Sequence, residues 1–169
     1  MSVDDHRATG AIWYRDRKAW RLIALGYLPW LAGLNLAWEA AQVRLYTLWT
    51  EAEPAYVAFA LGHCTLGDVL IGAISLLLAL IAGRERALAS WRWRRIAIAT
   101  ALAGVAYTLF SEWMNIAWLR SWTYAESMPT LELAGFELGL TPVAQWLIVP
   151  PVALSLARRS QRTPQPVSR

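Results

Sequence analysis

Apolar residues fall in four long runs along this chain, each carrying at most two charged or histidine side chains: roughly Trp20 to Val43, Tyr56 to Ala82, Ile96 to Leu119 and Thr141 to Ala157. At about 1.5 Å per helical residue, the first three exceed the about 30 Å of a bilayer's hydrocarbon core. The second run is the clearest, since Val69 to Ala82 has no charge at all. The fourth is the shortest and contains Pro150-Pro151, which membrane helices tolerate where neighbours satisfy the freed carbonyls. This pattern predicts an all-α fold: a polytopic membrane four-helix bundle over residues 20–159, preceded by a polar segment 1–19 and followed by a disordered tail 160–169.

Charge placement tests the four-span pattern independently. Of sixteen Lys and Arg residues, five lie before or at the very start of the first run (Arg7, Arg15, Arg17, Lys18, Arg21), five lie between the second and third (Arg84, Arg86, Arg92, Arg94, Arg95) and four follow the last (Arg158, Arg159, Arg162, Arg169). The other two connections hold only Arg44 and Arg120, with Glu51, Glu53, Glu126, Glu132 and Glu137. The positive-inside rule therefore predicts both termini in the cytoplasm. An odd number of spans breaks this segregation. The net charge of +4 implies no nucleic-acid partner, because the cations flank apolar runs instead of forming a stripe on a soluble domain.

Composition agrees with the membrane class: 57% of the 169 residues are hydrophobic and mean hydropathy is +0.32, too apolar for an ordinary soluble domain. The Arg-, Ala- and Leu-rich composition points to a bacterial inner membrane. Five of the tryptophans (Trp13, Trp20, Trp91, Trp93, Trp122) and Tyr124 fall near the ends of the runs, where rings anchor helices among headgroups. The polar start lacks the apolar stretch and small-residue cleavage site of a removable signal, so the first run is expected to serve as its own insertion signal. Cys64 is the only cysteine, which excludes an internal disulfide.

Two connections differ in kind. The basic one, Gly83 to Arg95, reads as a short link lying on anionic headgroups. The stretch from Arg120 to Leu140 is longer than a turn requires and contains Met128, Leu131, Leu133, Phe136 and Leu138. It is expected either to fold over the mouth of the bundle as a lid or to lie in the interface.

Candidate chemistry resides in polar groups inside the runs: Glu39, His63, Asp68 and Glu112. By helical rise, Glu39 lies about 27 Å from Arg21, Glu112 about 25 Å from Arg95, and His63 and Asp68 about 10 and 18 Å from Tyr56. All fall in the half away from the basic connections. Asn35, Glu39 and Gln42 are spaced i, i+4, i+7 and share one face; Thr108, Glu112 and Asn115 repeat that spacing, and Gln145 adds an amide from the fourth run. On the second run, His63 is about 140° around the helix from Asp68, which separates the two. Gly62, Gly67 and Gly72 are expected to allow close helix approach. The pairs Glu39…Gln42 and Glu112…Asn115, each with an adjacent tryptophan, hint at repeated hairpins, but so few shared features arise readily by chance.

Ionisable groups at membrane depth require partners or a polar cavity. The favoured reading is acid–base chemistry on, or binding of, a lipid or isoprenoid-like molecule. Glu39, Glu112, His63 and Asp68 are the candidate catalytic residues, and Asn35, Gln42, Asn115, Gln145, Trp38, Trp113 and Trp146 line the substrate, the indoles facing a developing cation. The bland reading is that the same groups merely hydrogen-bond the helices together. No cofactor and no metal are expected: the Glu-x-x-His pair of di-iron bundles is absent and the runs contain one histidine. Two further readings are a non-catalytic subunit of a membrane complex and a proton-coupled transporter component, the latter opposed by the lack of a polar path through the other half. A homo-oligomer is compatible with any of them.

Overall fold

The computed structural model describes residues 12–119, 122–133 and 135–161. The protein is mostly helical, and three helices are long and apolar enough to cross a membrane: α3 (Pro54–Ala82), a helix Trp93–Ile116 whose regular part is α4 (Trp93–Glu112), and α5 (Leu140–Ser160). The first apolar run is helical but segmented. It comprises α1 (Arg17–Leu22), a π turn (Ile23–Tyr27) and α2 (Leu28–Gln42). Pro29 explains the break: it has no N–H to give the preceding turn, and its ring crowds the carbonyl four residues back. In the widened turn the Leu28 N–H reaches back to the Ile23 carbonyl. Pro150 and Pro151, by contrast, stay within a continuous helix. Of the tail expected to be disordered, Ser160 ends α5 and the part beyond Gln161 lies outside the described residues.

The helices pack so that α2 contacts α3 and α5, while α4 contacts α3 and α5. The dry core sits toward the end bearing the basic connections, where Leu22, Leu31, Leu76, Leu80, Ile96 and Leu154 are fully or almost fully buried. Tyr27, also buried, donates its hydroxyl to the Gly72 carbonyl of α3 at 3.2 Å. Gly104 on α4 has a packing reason: any Cβ there would collide with the Trp146 indole of α5, so glycine lets the ring lie against the α4 backbone.

The connection Gly83 to Arg95 is more organised than a link resting on headgroups. Glu85 is buried in an ion pair with Arg92 at 2.8 Å, and the Arg92 guanidinium also donates to the Gly83 carbonyl. Asp16 caps α1 by accepting from the Lys18 N–H at 2.9 Å. It also accepts from the Leu88 N–H at 2.8 Å, tying the chain start to this connection. Trp13 and Trp91, expected among headgroups, are instead 5% and 4% exposed. They pack in the core because these ties fold their segments inward.

At the opposite end the fold departs from all-α. An antiparallel hairpin joins β1 (Thr130–Leu133) and β2 (Phe136–Gly139), with Leu133 paired to Phe136 where the chain turns back. Gly135 in that turn has φ of +83°, a conformation that L side chains rarely adopt. The sequence signal is the alternation of Leu131 and Leu133 with Thr130 and Glu132, mirrored by Glu137 and Leu138 after the glycine.

Candidate functional site

Gln145 is the hub of the polar cluster. Projecting from the first turns of α5, its Nε2 lies 2.9 Å from Asp68 Oδ2 on α3, 3.0 Å from Asn35 Oδ1 on α2 and 3.2 Å from Glu39 Oε1, also on α2. An amide nitrogen has two hydrogens, so three acceptors share two donors. Gln145 thus draws the Glu39 and Asp68 carboxyls, from two different helices, onto one amide nitrogen and makes them a pair. Asn35 is 1% exposed, and its Nδ2 has no partner among the described residues.

Glu112 forms a second centre. It ends the regular part of α4, where a π turn (Trp113–Trp118) begins, closed by the Leu119 N–H on the Met114 carbonyl at 2.8 Å. Glu112 accepts from the Tyr124 hydroxyl, and that oxygen accepts from the Gly139 N–H at 2.9 Å. Tyr124 was expected at the headgroups; it turns inward because its segment pairs with the α2–α3 connection. The Thr47 N–H meets the Thr123 carbonyl at 3.1 Å and the Ala125 N–H meets the Leu45 carbonyl at 2.9 Å. Tyr46 and Tyr124 form the bridge between the segments, their rings 5.6 Å apart. Burial, reinforced by the neighbouring Glu112 carboxyl, pushes both phenols well above the usual tyrosine range, so both remain protonated donors.

Between these centres lies a cavity of about 370 Å³, lined by Glu39, Asp68, Glu112 and Gln145 together with Gln42, His63, Asn115 and Trp146. This volume falls in the lower part of the range for small-molecule sites. Eight of the eleven residues singled out from the sequence therefore face one space. His63 lies at its exposed edge, stacked on Phe59 with centroids 5.7 Å apart, as its angular offset from Asp68 implies. Asn115 bonds within its own helix, donating to the Ser111 carbonyl at 2.8 Å.

Three of the residues do not line the cavity. Asn35 lies beneath it, bonded to Gln145. Trp38 packs against the core and donates to Gln42 Oε1 at 2.8 Å, so it positions a lining amide. Trp113 turns outward, 40% exposed, beside Phe110 and Trp118. One residue along from Glu112, it points about 100° away around the helix. Tyr46, Tyr107, Ser111 and Trp122 also line the space but went unrecognised in the sequence. Ser111 and Tyr107 precede Glu112 by one and five residues, a signal within reach; Tyr46 and Trp122 carried none. The described residues contain no group of three or more His, Cys, Asp or Glu side chains arranged to hold a metal ion. No protein family, curated protein or solved structure matches the chain.

Proposed function

We propose that this is a four-span inner-membrane protein of a bacterium, with both termini in the cytoplasm, that carries out acid–base chemistry on a lipid or isoprenoid-like molecule. The observation that carries the reading is the convergence of the Glu39–Asp68 pair and Glu112, from three different helices, on one cavity. Carboxyls that served only to join helices would be packed against one another without a hollow of substrate size between them.

The two centres are chemically unequal. In this reading the Glu39–Asp68 pair, drawn together by Gln145, is the proton donor, and Glu112, which accepts the Tyr124 hydroxyl, is the acceptor. Such an arrangement suits a double-bond shift: the pair protonates one alkene carbon, the cation forms on the other, Glu112 removes a proton from the saturated carbon next to the cation, and that proton returns to the pair before the next turnover. The proton gained equals the proton lost, so no co-reactant is needed. The intermediate cation is met by the Trp146 indole on the cavity wall. The packed core toward the basic end counts against a conducting path, and so against transport.

Comparison of lipid extracts by mass spectrometry tests this reading. Membranes from cells expressing the protein are expected to show an altered lipid species relative to vector controls. Glu39→Gln and Glu112→Gln each abolish the change while the protein accumulates and melts normally. A lipid profile left unaltered by either glutamine variant refutes the acid–base assignment.

A further inference from the structure

The walls of the cavity are unequal. Those contributed by α2 and α5, such as Gln42, Pro142 and Trp146, are buried or partly buried. The exposed lining residues are His63 and Cys64 of α3 and Tyr107 of α4. On α3, no residue between Val57 and Gly72 is buried, whereas Gly72, Ser75, Leu76, Ala79 and Leu80 pack tightly. A Cβ added at Gly62 or Gly67 would meet no atom within 4 Å, while one at Gly72 would press on Leu31. The expected close approach through these glycines thus occurs at Gly72 alone, and α3 stands away from its neighbours above it.

The end of the cavity near the hairpin is covered. Tyr46 and Tyr124 cross it in the bridge between the α2–α3 connection and the loop before β1, and Tyr124 is held by Glu112 and Gly139. The chemistry of the lining narrows what can enter: among the described residues it contains Glu39, Asp68 and Glu112 and neither lysine nor arginine. A phosphate or carboxylate headgroup would meet three acidic groups with only the imidazole of His63, at the exposed edge, beside them, which a poorly solvated site disfavours strongly.

We propose that the hollow is entered sideways from the bilayer, through the α3–α4 seam, by an uncharged long-chain molecule whose polar or unsaturated end reaches the carboxyls. The volume accommodates one end of such a molecule, and the remaining chain lies in the seam beside Gly67 and Ile71. This deepens the acid–base reading and rests on it for the identity of the reacting end.

The test is photolabelling in vesicles of phosphatidylethanolamine and phosphatidylglycerol with two probes, a long-chain alcohol and a fatty acid of the same length, each bearing a diazirine. Labelled positions are mapped by peptide mass spectrometry. The alcohol is expected to label the partly buried lining residues Gly67 and Ser111, and the fatty acid only outward residues such as Leu66 and Leu70. Gly67→Phe, whose ring enters open space, lowers interior labelling by the alcohol about tenfold, corresponding to about 1.4 kcal/mol; Ala60→Trp does the same from about two turns earlier on α3, and Gly67→Ala leaves labelling intact. Alcohol labelling confined to Leu66 and Leu70, or interior labelling insensitive to both bulky variants, overturns sideways entry. Equal interior labelling by the fatty acid overturns the uncharged class. Two readouts separate the proposals: interior labelling of the unaltered protein without any effect of Glu39→Gln on lipid products sinks the chemistry, and an effect on lipid products without interior labelling sinks the route.

Discussion

The two halves of this molecule use the same helices for opposite ends. Toward the basic connections, Leu22, Leu76, Leu80, Ile96 and Leu154 close the space between helices; toward the hairpin, the helices hold Glu39, Asp68, Glu112 and Gln145 around a cavity. On α3 the change occurs within one turn, since burial begins at Gly72 and Asp68 already faces the hollow. In the bilayer proposed for this chain, apolar side chains would gain little by leaving their surroundings, so packing and hydrogen bonds would hold the helices together. A tightly packed half can therefore supply the rigidity that lets the other half remain hollow and expensive in unpaired polar groups.

Substitutions can break this division, and the largest stability loss is expected in the dry half. Leu80→Ala removes a fully buried side chain and, in the proposed bilayer setting, costs about 2 kcal/mol, at the low end for such truncations because lipid and not water would be the alternative surroundings. Denaturation in detergent reads the loss, and lipid products of the folded fraction stay unchanged. Gln145→Met, in the hollow half, reverses the balance. Removing the donor shared by Asn35, Glu39 and Asp68 costs about 1 kcal/mol, since interhelical bonds in membranes are individually weak, yet it abolishes product formation because the carboxyl pair loses its fixed position. Equal damage to product formation by both variants would erase the distinction.

The smallest effect belongs to the tyrosine cover. Tyr46 and Tyr124 titrate higher in the folded protein than the about pH 10 of free tyrosine. As pH rises, the unfolded chain releases these protons first. The stability contributed is complete well below about pH 10 and is lost as pH climbs through and above it. At about pH 10 the loss amounts to about 0.5 kcal/mol, discounted for the partly exposed Tyr124. Phenylalanine at both positions removes that alkaline decline, and denaturation at matched pH values reads the difference.

Much of this contrast was legible in the sequence because it follows helical period. The spacing of Asn35, Glu39 and Gln42 against that of Thr108, Glu112 and Asn115 puts each set on one helix face, and helical rise puts both in the same half. The tyrosine cover was not legible, because Tyr124 meets Glu112 only once residues 45–47 pair with residues 123–125, a contact between loops with no periodicity of its own. The π turns were equally hidden. Pro29 signals a disturbance in the first run, but whether a proline widens a turn or bends the helix depends on neighbours such as Ala157, which packs against Gly26. Trp113 shows the limit of adjacency in sequence: next to Glu112 along the chain, it faces away from the cavity. The hairpin, in contrast, was visible in the alternation around Gly135, and loop length drew attention away from it.

Central to this account is that Asp68 and Gln145, from different helices, belong to one polar network beside the cavity. A double-mutant cycle with Asp68→Ala and Gln145→Met, each of which removes one partner of the bond, read by reversible denaturation in detergent, measures that directly. The account predicts a coupling of at least about 0.5 kcal/mol between the two substitutions; effects that add to within about 0.3 kcal/mol would contradict it.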